Sequence, residues 1–220
     1  FRSGGTATLA KKRTVTTLQG LASFKDNKTL AVELVDGGTQ DVSFDFAIIA
    51  TGSLPVVIPG WPQSPRVMDS TGALALEDIP GSLLIVGGGY IGLELGTVYA
   101  SLGSKVTVVE MTAGLLPGAD RDLVRILQKR LADRMASILL QTNVKSLKVQ
   151  KNGIKATLEG PDVDQNARIF DKVLLAVGRR PNSAGLGLAN TTIEVDGRGF
   201  IKVDAQRRTA EKNIFAIGDV

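Results

Sequence analysis

Residues 83–110 read LLIVGGGYIGLELGTVYASLGSKVTVVE, and the fold turns on this stretch. Residues 83–86 are apolar and predict a strand that runs into Gly87, Gly89 and Gly92 at G-x-G-x-x-G spacing. A helix over residues 90–102 and a second strand ending in Glu110 complete a βαβ unit in order. In such a unit Gly87 allows the tight turn, Gly89 lets the backbone come close to a pyrophosphate, and Gly92 lets the helix pack on the strands. The helix start turns N–H groups and a partial positive charge toward that pyrophosphate. Glu110 lies 18 residues after Gly92, where a carboxylate can accept both ribose hydroxyls of an adenosine and repel a 2'-phosphate. Residues 111–120 contain no Arg or Lys to receive such a phosphate, so the stretch predicts NAD rather than NADP. A lone glycine pattern can be a purely structural turn; here strand, helix and terminal acid are all in register with it.

The 220 residues are 43% hydrophobic and 5% aromatic with 25 Gly, the balance of a soluble α/β protein of one large or two small domains. No apolar run approaches the length of a bilayer span and no signal-like segment opens the chain, which points to a cytoplasmic protein without a membrane partner. There is no Cys and no His. Structural disulfides, a thiolate nucleophile, thiolate–metal sites and an imidazole base are thereby excluded within these residues, and no catalytic or metal-ligating residue is assigned. Redox chemistry would have to come from a cofactor or from a segment outside them. Lys and Arg number 26 against 22 Asp and Glu, but the basic residues are scattered, with no aromatic interleaving. A solvated face is predicted, not a nucleic-acid surface.

Residues 3–13 read as the end of a helix. Strands are predicted at 14–18, 21–24, 30–35 and 40–44, with a turn at Asp36, Gly37 and Gly38. The apolar run 46–50 predicts a strand buried on both faces, ended by Thr51, Gly52 and Ser53. Pro55, Pro59, Pro62 and Pro65 mark a connector, and Ser70 or Thr71 would cap a short helix at 72–76. Residues 120–135 have helical spacing, with Leu123, Ile126, Leu127, Arg130 and Leu131 along one stripe. Strands follow at 137–141, 144–150, 154–159, 172–177, 201–203 and 214–217.

An internal repeat sets the architecture. Residues 45–55 (DFAIIATGSLP) and 171–181 (DKVLLAVGRRP) share D-x-x-h-h-A-x-G-x-x-P, where h is apolar, and each follows a β-meander. The chain therefore reads as the same terminal part of two dinucleotide-binding domains, of which the second has its βαβ unit and glycine loop. An internal fragment of a longer, two-nucleotide protein is expected.

These residues resemble the flavin-dependent pyridine-nucleotide disulfide oxidoreductases over essentially the whole chain, and most closely their dihydrolipoamide dehydrogenase branch. The resemblance is carried by residues 50–53 (ATGS), 70–74 (STGAL), 87–94 (GGGYIGLE), 109–110 (VE), 178–182 (GRRPN) and 209–219 (TAEKNIFAIGD). It implies an α/β fold in which a Rossmann-like NAD-binding domain, parallel sheet plus β-meander, is flanked by parts of an FAD-binding domain. The corresponding spans are 1–68 and 191–220 for FAD and 69–190 for NAD. By the same resemblance, Gly87, Gly88, Gly89, Tyr90, Ile91, Gly92, Leu93, Glu94 and Glu110 belong to the NAD site, with Val144 over adenine and Gly178 near the nicotinamide. Thr51, Gly52, Ser53 and Asp219 belong to the FAD site, Asp219 accepting from the ribityl chain. Glu94 either pairs with a flavin-side Lys or complements the helix start, and Tyr90 either shields the flavin or simply packs.

The family's redox Cys pair, first glycine loop and His–Glu pair are absent from these residues. The resemblance thus implies a parent homo-oligomer that serves the lipoyl-bearing subunits of 2-oxoacid dehydrogenase complexes, and a fragment inactive by itself. A sibling enzyme of the mercuric reductase, transhydrogenase or NADH oxidase type, or a non-enzymatic NAD-binding module, stands as the alternative.

Overall fold

Leu83, Leu84, Ile85 and Val86 are consecutive, and in a strand consecutive side chains point to opposite faces, so this segment needs apolar cover on both sides. A computed structural model, which describes residues 2–220 and the side chains of residues 5–220, supplies that cover. In chain order its elements are α1 (Arg2–Lys12), β1 (Gly20–Phe24), β2 (Thr29–Leu34), β3 (Thr39–Ser43), β4 (Ala47–Ile49), β5 (Ser53–Pro55), β6 (Val67–Met68) and α2 (Ser70–Ala75). Then come β7 (Ser82–Val86), α3 (Tyr90–Ser101), β8 (Lys105–Val109), α4 (Arg121–Ala132), β9 (Ser137–Leu139), β10 (Asn143–Gln150), β11 (Gly153–Glu159) and β12 (Ala167–Phe170). The chain continues through β13 (Lys172–Leu175), β14 (Arg179–Pro181), a 3-10 turn at Leu188–Asn190 and β15 (Ile214–Ala216). Two compact units form, Pro55–Arg179 and the remainder.

In the Pro55–Arg179 unit, five strands are ordered β6-β13-β7-β8-β9, and the pairings β6–β13, β13–β7, β7–β8 and β8–β9 are all parallel. Leu83 and Ile85 join Val106, Val108 and Leu174 against Leu93, Leu95 and Tyr99 of α3 and Val124 and Leu131 of α4. Leu84, Val86, Val109 and Val173 face the other way, onto Leu147, Ile154, Ala156, Leu158 and Phe170 of the antiparallel meander β10-β11-β12. Each fully buried Leu or Ile contributes about 1.5–3 kcal/mol. Tyr99 crosses from α3 to donate its hydroxyl to Ala73 O at 2.9 Å, fixing α2. The architecture is the α/β, parallel-sheet-plus-meander arrangement that the family resemblance implies, built on the strand, helix and strand that the βαβ stretch predicts.

The other unit holds the antiparallel meander β1-β2-β3 and the parallel pair β4–β15. Its core gathers Phe24, Ile49, Ile193, Ile201, Ile214, Ala216 and Val220.

Several local expectations are corrected. Residues 14–18 form no strand: Thr14 takes a left-handed φ of 58° at the end of α1, and Val15 and Leu18 are exposed with no partner strand. The run 46–50 is not buried on both faces, because Phe46 and Ile48 are 72% and 64% exposed while Ile49 is buried; among the described residues only β15 pairs with β4. The cap of α2 is Asp69, whose carboxylate accepts from Gly72 N at 2.8 Å, rather than Ser70 or Thr71. On α4 the buried residues are Val124 and Leu131, with Leu127 partly buried, whereas Leu123 and Ile126 face solvent. Residues 201–203 make a single bridge, Val195 to Ile201, and β12 completes a meander for which the sequence predicts only two strands.

Candidate functional site

The carboxyl ends of β7, β8 and β13 come together around the glycine loop. Gly87 N donates to Val109 O at 2.8 Å and Ala176 N to Val86 O at 2.8 Å, so all three strand ends are tied there. Gly87 has φ 111°, and a Cβ on it would run into the carbonyl of Ala176. A Cβ on Gly92 would strike the carbonyl of Gly87 and press on Ile85 at 3.1 Å. These two glycines are therefore required by the fold.

Gly89 is different. It is the N-cap of α3, it makes no side-chain cap hydrogen bond, and a Cβ built on it would meet nothing within 4 Å. The first turn of a helix leaves N–H groups without intrahelical partners, so open space and unused donors coincide at Gly89. This is the geometry that admits an anionic group.

Glu110, directly after β8, is only 6% exposed. Its Oε2 accepts from Gly88 N at 2.7 Å, and its Oε1 accepts from Thr112 N at 2.8 Å and lies 2.7 Å from the Thr112 hydroxyl. The carboxylate is thus locked onto the glycine loop, with lone pairs left over for further donors. Thr112, together with Leu115, Leu116 and Arg121 that brace the same loop, escaped the sequence reading; the only signal was the pair Gly114 and Gly118 after the acid.

Val144 follows Thr142, whose N–H donates to Glu110 O at 3.0 Å, and it sits at a bulge in β10, half-buried. Gly178 has φ 129° two residues past Ala176, and its carbonyl accepts from Val56 N at 3.1 Å. Ile91 is half-buried against the core and Leu93 buried in it, while Tyr90 and Glu94 are solvent-exposed on α3.

In the second unit the parallel pairing of β4 and β15 brings Asp219 to residues 51–53. Ser53 donates its hydroxyl to Asp219 Oδ2 at 3.3 Å, just past Gly218 with φ 80°. Thr51 donates to Asn182 O at 2.8 Å, and Asn182 N returns a bond to Gly52 O at 2.9 Å. Residues 51–53 and 219 are thereby assembled from two distant parts of the sequence.

A parallel sheet with a glycine loop and acid at its carboxyl edge defines a Rossmann-type α/β domain. The family model described as pyridine nucleotide-disulphide oxidoreductase matches residues 4–220, and the chain belongs to that family. It is similar to the dihydrolipoyl dehydrogenase of Vibrio cholerae serotype O1, 46% identical over 219 residues, covering 99% of this chain and 46% of the relative. The dihydrolipoyl dehydrogenase of Haemophilus influenzae is also 46% identical over 219 residues, covering 99% of this chain and 45% of the relative. Among solved structures, a Cu(II) complex of the HOCl-induced flavoprotein disulfide reductase RclA C43S mutant from Escherichia coli superposes with a TM-score of 0.87 at 34% identity, covering 99% of this chain and 48% of that one. The chain spans about half the length of the curated relatives it matches. Among the described residues no helix is long and apolar enough to cross a membrane.

Proposed function

We propose that the Pro55–Arg179 unit binds NAD, and that the chain is the NAD-binding central portion of a dihydrolipoamide dehydrogenase, with the remaining residues forming part of an FAD-binding domain. The observation that carries this reading is the pairing of Gly89, whose missing Cβ leaves open space, with Glu110, whose carboxylate is locked 2.7 Å from the neighbouring Gly88 N. The pyrophosphate would lie over Gly89 and the start of α3, the adenosine ribose against Glu110, the adenine by Val144 and the nicotinamide end by Gly178. Glu110 would turn away a 2'-phosphate by charge.

Residues 51–53 and Asp219 offer hydroxyl and carboxylate groups of the kind a ribityl chain would meet. FAD, when bound, carries an electron pair between a dithiol and nicotinamide, while this chain's residues orient the nucleotide and exclude its phosphorylated analogue. With no Cys and no His, these residues supply neither thiol nor imidazole, so alone they are proposed to bind nucleotide without oxidising dihydrolipoamide. The whole protein would serve lipoyl-bearing subunits as a cytoplasmic homo-oligomer. A sibling disulfide reductase is the second reading, favoured by the similarity to the RclA structure.

Titration of the 220-residue chain with NADH and NADPH tests the assignment. NADH should bind the more tightly, and Glu110→Ala should narrow the difference. Equal or tighter NADPH binding by the unmodified chain would overturn it.

A further inference from the structure

Arg121 is the first residue of α4, where a cation opposes the helix dipole, so the helix itself gives no reason for it. Its guanidinium turns back instead onto the loop that follows Glu110. Nη1 donates to Leu115 O at 2.9 Å, Nη2 to Leu116 O at 2.5 Å and to Ala119 O at 2.8 Å, and Nε to Ala119 O at 3.0 Å. Gly114 makes room for it, since a Cβ there would come within 2.7 Å of Nη1.

What the guanidinium holds is strained. Leu116 has a left-handed φ of 49°, a conformation that a residue with a Cβ keeps only under constraint. Its carbonyl is held by Arg121, and its N–H donates to Gly88 O at 2.9 Å. Gly88 N in turn donates to Glu110 Oε2. Leu115, fully buried, closes the arrangement from the side, and a Cβ on Gly88 would come within 2.7 Å of its Cδ2. A continuous series of hydrogen bonds thus runs from Arg121 through Leu116 and Gly88 to the Glu110 carboxylate.

We infer that Arg121 is a positioning residue: through Leu116 and Gly88 it fixes the Glu110 carboxylate, and so sets both the affinity for NADH and the rejection of NADPH. The inference rests on the nucleotide reading above. Arg121 is suited to the task because its planar guanidinium presents Nε, Nη1 and Nη2 in a fixed fork to three carbonyls, whereas a lysine ammonium is a compact point charge on a flexible stem.

The test titrates NADH and NADPH into the 220-residue chain and three variants, with a melting temperature recorded for each. Arg121→Ala should weaken NADH roughly tenfold, the loss of one charge-assisted bond's worth of ordering, and weaken NADPH less. Arg121→Lys should recover little of this. Adding Leu116→Gly to Arg121→Ala should restore much of the NADH affinity, because glycine takes the left-handed φ unaided. If Arg121 only stabilises the fold, Arg121→Ala lowers the melting temperature, leaves both affinities of the folded protein unchanged and shows no rescue, and the inference is overturned. If the unmodified chain binds neither nucleotide, the nucleotide reading itself falls; selective NADH binding that survives Arg121→Ala removes only the role of Arg121.

Discussion

Of the three glycines at G-x-G-x-x-G spacing, Gly87 and Gly92 have backbone or side-chain atoms where a Cβ would go, and Gly89 has none. We therefore predict that Gly89→Val abolishes NADH binding while the chain stays folded, since the added side chain fills only the space proposed for the pyrophosphate. Circular dichroism with a nucleotide titration separates the two effects; unchanged affinity would make the loop a structural turn. These residues were legible in the sequence because each type answers a steric or charge demand at a fixed spacing. Thr112, Leu116 and Arg121 were not, because their role depends on a left-handed leucine and on a side chain folding back on its own loop. Neither leaves a spacing pattern.

Elements were legible where burial is two-sided or alternation is regular, as at β7, β8, β10, β11 and α3. Prediction failed where cover was missing or local bonding decided. The spacing of Leu123, Ile126, Leu127, Arg130 and Leu131 implies one buried stripe; Leu131 and in part Leu127 do pack, but α4 is rotated so that Val124 takes the place of the exposed Leu123 and Ile126. Asp69 took the cap that Ser70 or Thr71 could have filled, because a carboxylate in extended backbone reaches Gly72 N directly. Glu211 shows local bonding of this kind in the second unit: it accepts from Thr192 N and Oγ1, both at 2.9 Å, and from Asn27 Nδ2 at 3.3 Å. The Thr192 backbone bond, outweighing burial and aided by the Thr192 and Asn27 side chains, holds its carboxyl below the usual 4.5. Its stabilisation is therefore present above about pH 4.5 and lost as pH falls through the lowered folded value. Urea denaturation midpoints of the chain and of Glu211→Gln should differ at pH 7 and converge as pH falls through the lowered folded value; a gap that does not change with pH would contradict this.

For the whole molecule, the repeat at residues 45–55 and 171–181 contains the corresponding strands β4 and β13, and these carry unequal cover. β13 lies inside a five-stranded sheet with Val173 and Leu174 fully buried, whereas among the described residues β4 has one strand partner, and Ile48 on it and Phe46 just before it are exposed. Open edges and apolar faces promote pairing with other chains. The 220-residue chain should self-associate with rising concentration, and Phe46→Lys with Ile48→Lys should reduce the association in light scattering; a strictly monomeric unmodified chain would count against this. The proposed function depends on the α3 end of the parallel sheet holding NADH. The most direct measurement of this is a titration of isotope-labelled chain with NADH, followed through backbone amide shifts. The largest shifts are expected at Gly88, Gly89, Tyr90 and Ile91, with smaller ones at Glu110, Val144 and Gly178. Saturable binding that leaves the amides of residues 87–92 unmoved would contradict it.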